Sequence, residues 1–340
     1  MPSPLVLRRL ILGAGLVALA AGSPAAASAH GAAPAPPSDP LGLLGLWSFD
    51  PLIQVPLIAL AVGWISAVRH VDRAHPANPV PRGRTVAFLA GLAAIELALQ
   101  SPIEHYDTAL FSAHMIQHIL LTLVAAPLLS AGAPITLLLR LASGDIRRRR
   151  ILPVLHSRAV RIVSHPVVSW LVFAGVMWGT HFSPIFNESL ENPLLHQVEH
   201  LLYLGAGLLF WWPVIGADPS PWRMPHAMRV LYTFLQMPQN TFLALVIYSS
   251  STALYTHYAT LERGWGPDAL ADQQLAGALM WVGGDLLFLV AILFVVRGWM
   301  RQEDRDAAAT DARQDAERVE IRRRETVLAE RLARERAGER

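Results

Sequence analysis

The 340-residue sequence predicts an all-α fold, a polytopic membrane helical bundle of seven transmembrane helices after a signal peptide. Three observations predict it. Hydrophobic residues make up 53% of the chain and charged residues only 16%, where a soluble domain carries about 25% charge. Seven apolar stretches each approach the ~20 residues that a bilayer helix needs. Arginine is concentrated in alternate connections between those stretches, as expected of loops that stay on the cytoplasmic side.

Taken in order, Arg8 and Arg9 precede an apolar run from Leu10 to Ala21, and Ala27-Ser28-Ala29 has the small-x-small form of a cleavage site. Residues 1–29 therefore read as a secretory signal, with an uncleaved first helix as the alternative. Residues 30–50 form a periplasmic N-terminal segment whose Pro/Ala stretch from Pro34 to Pro40 is extended. The membrane domain covers 51–300, with spans near 51–69, 84–101, 108–130, 166–182, 194–216, 229–251 and 274–298. Segment 131–142 is apolar but too short to cross, and Gly132 and Pro134 separate it from the third span; it reads as an interfacial helix. Residues 301–340 alternate Arg with acids, including Glu320/Arg324 and Glu330/Arg334 at helical pairing distance. They read as a solvated cytoplasmic helix or a disordered tail.

The charges orient the bundle. Arg69, Arg73, Arg82 and Arg84 follow the first span, and seven arginines from Arg140 to Arg161 follow the third. Arg223 and Arg229 follow the fifth, and Arg297 and Arg301 the seventh. Loops 102–107, 183–193 and 252–273 hold one arginine, Arg263, and several acids. This places the mature N-terminus outside and the C-terminus in the cytoplasm of a bacterial plasma (inner) membrane protein.

Composition also excludes chemistry. With no cysteine, disulfides and thiolate metal sites are ruled out, so a metal must rest on His, Met, Asp or Glu. His114-Met-Ile-Gln-His118 lacks the glutamate of HExxH. There is no GxSxG, no P-loop and no GxGxxG after a strand, and no basic–aromatic stripe suited to nucleic acid.

What remains is histidine. His114 and His118 stand four apart at the start of the third span, and His196 and His200 repeat that spacing at the start of the fifth. Each pair lies on one helix face. Ionisable groups at membrane depth are costly and mark functional sites by default. Counted from Asp107, His114 and His118 lie ~10–16 Å below the outer surface at 1.5 Å per residue. His181, at the outer end of the fourth span, His105 and His257 in outer loops, and His30 at the mature N-terminus complete an outward-facing set of eight. His70, His75, His156, His165 and His226 lie in Arg-rich inner loops. Two readings of the pairs compete: a metal site opening outward, with Glu199 and Gln117 as supporting partners, or interhelical hydrogen bonds. His105 and His257 read first as ordinary polar residues. If cleavage follows Ala29, the free amine and His30 could chelate Cu(II). In the seventh span, Asp272 sits at the outer end, Met280 two turns in and Asp285 near mid-membrane. Met280 or Met237 could add a thioether, and Asp285 could carry a proton or ion. The alternative makes these methionines gap fillers and Gly283-Gly284 a close helix contact.

Several stretches together resemble a known family: Ala29-His30-Gly31, LWSFDPLI (46–53), HMIQHILLTLVAAPLLSAGAP (114–134), LLHQVEHLLYLGAGLLFWWPVIG (194–216) and DQQLAGALMW (272–281). They resemble the CtaG-type cytochrome c oxidase assembly factors, a polytopic bacterial membrane family distinct from the single-span copper chaperone that shares the name. The resemblance covers roughly residues 30–300. It implies a seven-helix, non-catalytic protein that helps mature a haem–copper oxidase, in copper supply. Expected partners are the lipid bilayer, cytochrome c oxidase subunits and a periplasmic copper chaperone. The alternative reading is a membrane haem protein or quinol oxidoreductase with the His pairs as axial ligands; a third is a copper permease, for which no inner relay beyond Met237 and Asp285 is evident.

Overall fold

The computed structural model describes residues 35–336 and 338. The signal segment and its cleavage site, His30 and the chelate it could form lie outside the described residues. Seven helices carry the fold: α1 (Pro51–Ala74), α2 (Arg82–Tyr106), α3 (Phe111–Leu141), α4 (Pro166–His181), α5 (Pro193–Ile215), α6 (His226–Tyr248) and α7 (Ala269–Arg336). All but α4 are long and apolar enough to cross a membrane, and there is no strand among the described residues. The chain is thus an all-helical, multi-pass membrane protein. α4 occupies the expected place but has 16 residues, about 24 Å against a hydrocarbon core of about 30 Å. Its N-terminus is fixed by His165, whose Nδ1 accepts from Val167 N, and its C-terminus by the Ser183-Pro184 turn that follows.

Residues 269–292 of α7 belong to the bundle. Leu293–Arg340 form a second compact unit, helical to Arg336. Side chains 301–336 are all exposed. Of the two helical pairs in the tail, Glu320–Arg324 closes at 2.9 Å, an exposed pair worth about 0.3–0.5 kcal/mol.

α1 is apolar around its circumference. Leu52, Val55, Ile58 and Leu60 are exposed while only Leu57, Trp64 and Val71 are buried, the pattern of a helix solvated by lipid. Trp64 stacks on Phe88 of α2 with ring centroids 3.8 Å apart. α3 lies at the centre, and small residues let its neighbours close on it. A Cβ at Gly91 would fall 2.8 Å from Leu129 Cγ; one at Gly207 would fall 3.0 Å from Ala126 Cβ and 3.2 Å from Thr122 Cα. Beside that second contact, Trp211 Nε1 donates to Thr122 O at 2.8 Å, so α5 is bolted to α3 just below the paired histidines.

The third span starts three residues later than expected. Residues 107–110 turn back on Tyr106, whose carbonyl accepts from Ala109 N and Leu110 N, and Leu110 is extended. The new N-terminus is capped from α7: Asp272 accepts from Phe111 N at 2.6 Å and from Ser112 Oγ at 2.5 Å. Gln273 closes the α6–α7 loop, accepting from Leu254 N and donating to Ile247 O. The break expected near Gly132 falls at Ala133, which takes the left-handed conformation (φ 60°); the helix resumes at Pro134. Asp218 caps that second start by accepting from Ile135 N, Thr136 N and Thr136 Oγ1. Both α3 and α7 widen to π-helical turns, over Leu120–Ala125 and Leu279–Gly283.

Candidate metal centre

Because α3 and α5 touch at Gly207, their histidine pairs face each other one to three turns higher. His114 and His118 rings lie 4.2 Å apart, and His196 and His200 rings 4.4 Å apart. Across the helices His114 stacks 5.4 Å from His196, and His118 lies 6.4 Å from His200. His181 arrives from the end of α4, 6.3 Å from His118. Five of the histidines named from sequence therefore share one buried cluster, each less than a tenth exposed.

Carboxylates close it. One atom from each of Asp107, His114 and His196 falls within 4.8 Å of the other two, and the same holds for His114, His118 and Glu199, and for Glu104, Asp107 and His200. Tetrahedral ligands about 2.0–2.1 Å from an ion stand about 3.4 Å apart, so modest side-chain rotation suffices for these atoms to share one. His196 Nε2 lies 3.4 Å from Asp107 Oδ2 without a hydrogen bond between them. Burial, and then the charge of Glu104, push the Asp107 carboxyl well above its ordinary range.

The polar atoms of this cluster are short of partners. Both ring nitrogens of His114 and of His118, Nε2 of His181 and His196, Nδ1 of His200 and both carboxylate oxygens of Glu199 are buried with no hydrogen bond. Leaving one such group unsatisfied costs about 1–3 kcal/mol, and interhelical hydrogen bonding, the competing reading of the pairs, leaves far fewer. Two imidazoles are moreover oriented from behind. His181 Nδ1 lies 2.6 Å from Met177 O; a carbonyl only accepts, so Nδ1 carries the proton and Nε2 presents its lone pair. Gln117 Nε2 donates to Ala98 O and to Glu104, which leaves Gln117 Oε1 to accept from His200 Nε2 at 2.9 Å and turns His200 Nδ1 inward. Metal-binding imidazoles are oriented in this way.

The model of the cytochrome c oxidase caa3 assembly factor family (Caa3_CtaG) matches residues 62–302. The chain belongs to that family. The match encloses α2 to α6 and every histidine of the cluster. Among curated proteins, the chain is 32% identical over 282 residues to uncharacterized proteins of Mycobacterium bovis and Mycobacterium tuberculosis, and 31% identical over 278 residues to one of Mycobacterium leprae. These alignments take in 80–81% of this chain but 42% of each relative; the chain spans about two-fifths of their length. No solved structure matches.

The remaining sequence candidates lie apart from the cluster or serve its walls. His105 is exposed, edge-on to Tyr106. His257 donates from Nε2 to Thr108 O at 2.9 Å and holds the 107–110 turn in place. Asp272 caps α3. Asp285 accepts from Asn240 Nδ2 and Thr241 Oγ1, which ties α7 to α6. Met280 is buried below the imidazoles, beside His118 and His181; Met237 does not line that space. Sequence reading missed Glu104 and Asp107, two acids three residues apart just ahead of the first His pair, and Tyr203, whose ring stacks 3.8 Å from His118. Gln117→Leu is expected to free the His200 ring and weaken metal retention about 10–100-fold, measured by chelator competition on purified protein; unchanged retention would deny Gln117 this orienting role.

Proposed function

We propose that this assembly factor holds copper as cargo on His114, His118, His196 and His200, with carboxylate help from Asp107 and Glu199, and yields it to a haem–copper cytochrome c oxidase. The observation that carries the reading is the set of partnerless, buried imidazole nitrogens aimed at one another across α3 and α5. A site of imidazoles and carboxylates without thiolates suits a cargo that has to leave again. Copper would come from a periplasmic chaperone and pass to an oxidase subunit, with the protein acting as a non-catalytic holder. The alternating arginines support a bacterial inner-membrane orientation with the mature N-terminus and the cluster outside and the C-terminus in the cytoplasm. α4 then makes a seventh, short crossing, and residues 1–29 the signal.

The test is copper analysis of the purified full chain, wild type against His114→Ala and His200→Ala, with an absorbance spectrum of each. Wild type is expected to retain copper, and each variant to lose it at least 10–100-fold more readily, with no Soret band. Membranes of a deletion strain should lack copper-replete oxidase until the wild-type gene is returned. Equal copper in all three proteins, or a Soret band, would overturn the reading.

A further inference from the structure

Directly below the imidazole–carboxylate cluster lies a small pocket, about 30 Å³ in volume, among α3, α4, α5, α6 and α7. Three of the chain's eight methionines line it: Met115, Met177 and Met280. His118 and His181 form its roof. Met115 and Met280 are 1% and 6% exposed and belong to the interior of the bundle, while Met177 is half-buried. No carboxylate lines this space.

Methionine usually fills irregular gaps; here three of them surround a gap that stays open. The other polar groups on its wall are already engaged. Thr122 Oγ1 donates to His118 O. Asn240 Nδ2 donates to Met280 O. Tyr203 OH is shared between Thr180 Oγ1 and His181 Nδ1. What is left unpaired is His181 Nε2 and both nitrogens of His118; the methionines add thioether sulfurs to the wall. A neutral imidazole keeps one ring nitrogen free of hydrogen, so His181 Nε2, one nitrogen of His118 and the thioethers offer lone pairs at this wall, which is the electronic requirement of a cation.

The two layers differ in donor type. Above, imidazole is mixed with the oxygens of Glu104, Asp107 and Glu199, a set suited to divalent ions. Below, imidazole is mixed with thioether only, and soft thioethers select Cu(I). We propose that Met115, Met177 and Met280, with His118 and His181, form a second site for a soft monovalent ion, Cu(I), one layer inside the first. The proposal rests on the copper reading above for the identity of the natural ion, but the site stands on its own donors. Sharing of His118 makes the two layers neighbouring stations for the same cargo.

The experiment uses the full purified chain under anaerobic conditions. Cu(I) is titrated against a Cu(I)-specific chelator, Ag(I) serves as a redox-inert counterpart, and Zn(II) as a probe of the upper layer. Met115→Leu/Met177→Leu/Met280→Leu preserves apolar volume, with melting temperature and gel filtration as folding controls. The triple variant is expected to lose Cu(I) and Ag(I) affinity by at least 10–100-fold and to keep its Zn(II) affinity. X-ray absorption of the wild-type Cu(I) form should contain copper–sulfur scattering, a readout that does not depend on any variant folding. Asp107→Asn/Glu199→Gln is expected to weaken Zn(II) and spare Ag(I). Unchanged Cu(I) affinity in the triple variant, or wild-type scattering from nitrogen and oxygen alone, would overturn the soft site. Loss of Zn(II) binding with sulfur-ligated Ag(I) retained would support the soft site whatever became of the upper one.

Discussion

Asp272→Ala should lower the stability of the bundle by about 3–6 kcal/mol, the sum of two hydrogen bonds to a charged acceptor at about 1.5–3 kcal/mol each. Asp272 is fully buried and accepts from Phe111 N and Ser112 Oγ. Its removal leaves the first amide of α3 without its acceptor at a buried position. His114 stands in that same first turn, so the loss should reach the metal cluster: copper retention is expected to fall together with the midpoint of unfolding. Asp272→Asn keeps one acceptor and should cost roughly half as much. Thermal unfolding of the purified variants reads both. A midpoint within a degree of wild type for Asp272→Ala would mean that the α3 start is held by packing alone.

The second large effect is expected at Gly207. A valine there must place its Cβ 3.2 Å from both Cα and O of Thr122, and these are backbone atoms of a central helix that cannot swing aside. Overpacking against a rigid neighbour costs about 1–3 kcal/mol and occasionally more. Relief comes only by moving α5 away from α3, which also stretches the Trp211–Thr122 hydrogen bond and separates His196 and His200 from His114 and His118. Gly207→Val should therefore lose copper even in whatever fraction stays folded. Gly205→Val is the control: two residues away, its Cβ would meet nothing within 4 Å, and it should leave stability within about 0.5 kcal/mol. Equal behaviour of the two valine variants would contradict the close approach of α3 and α5.

Much of this was legible in the sequence because a bilayer imposes a coarse code. Apolar length located the spans, and the resemblance to the family agrees with the match over 62–302. α4 was the exception: residue-type counting cannot tell 17 apolar residues that taper into a turn from a span of full length. The four-residue spacing of His114/His118 and His196/His200 placed each pair on one helix face, since that is a local property of the helix. Their convergence was not local. It depends on Gly207, whose lack of a side chain carries no sign of which helix approaches it. Glu104 and Asp107 were counted as outer-loop charge, although their nearness to the first His pair was a signal. Met177, four residues before His181, was another, since that spacing puts sulfur and imidazole on one face. Asp272 was read only as sitting at the outer end of the seventh span; the backbone amide that it caps lies 161 residues away, which no local pattern shows.

The π-helical turns in α3 and α7 bear on how this chain can change length. A turn that widens to admit an odd residue resets the 100° advance per residue. Above it His114 and His118 face α5; below it Leu129 meets Gly91 of α2. A deletion within Leu120–Ala125 would rewind the helix to ordinary pitch and leave both halves correctly aimed. The same deletion between His114 and His118 would swing one imidazole more than a quarter-turn out of the cluster. Length variation in this helix is thereby channelled into a single turn, where the histidine-bearing half and the anchoring half are free to drift in register independently.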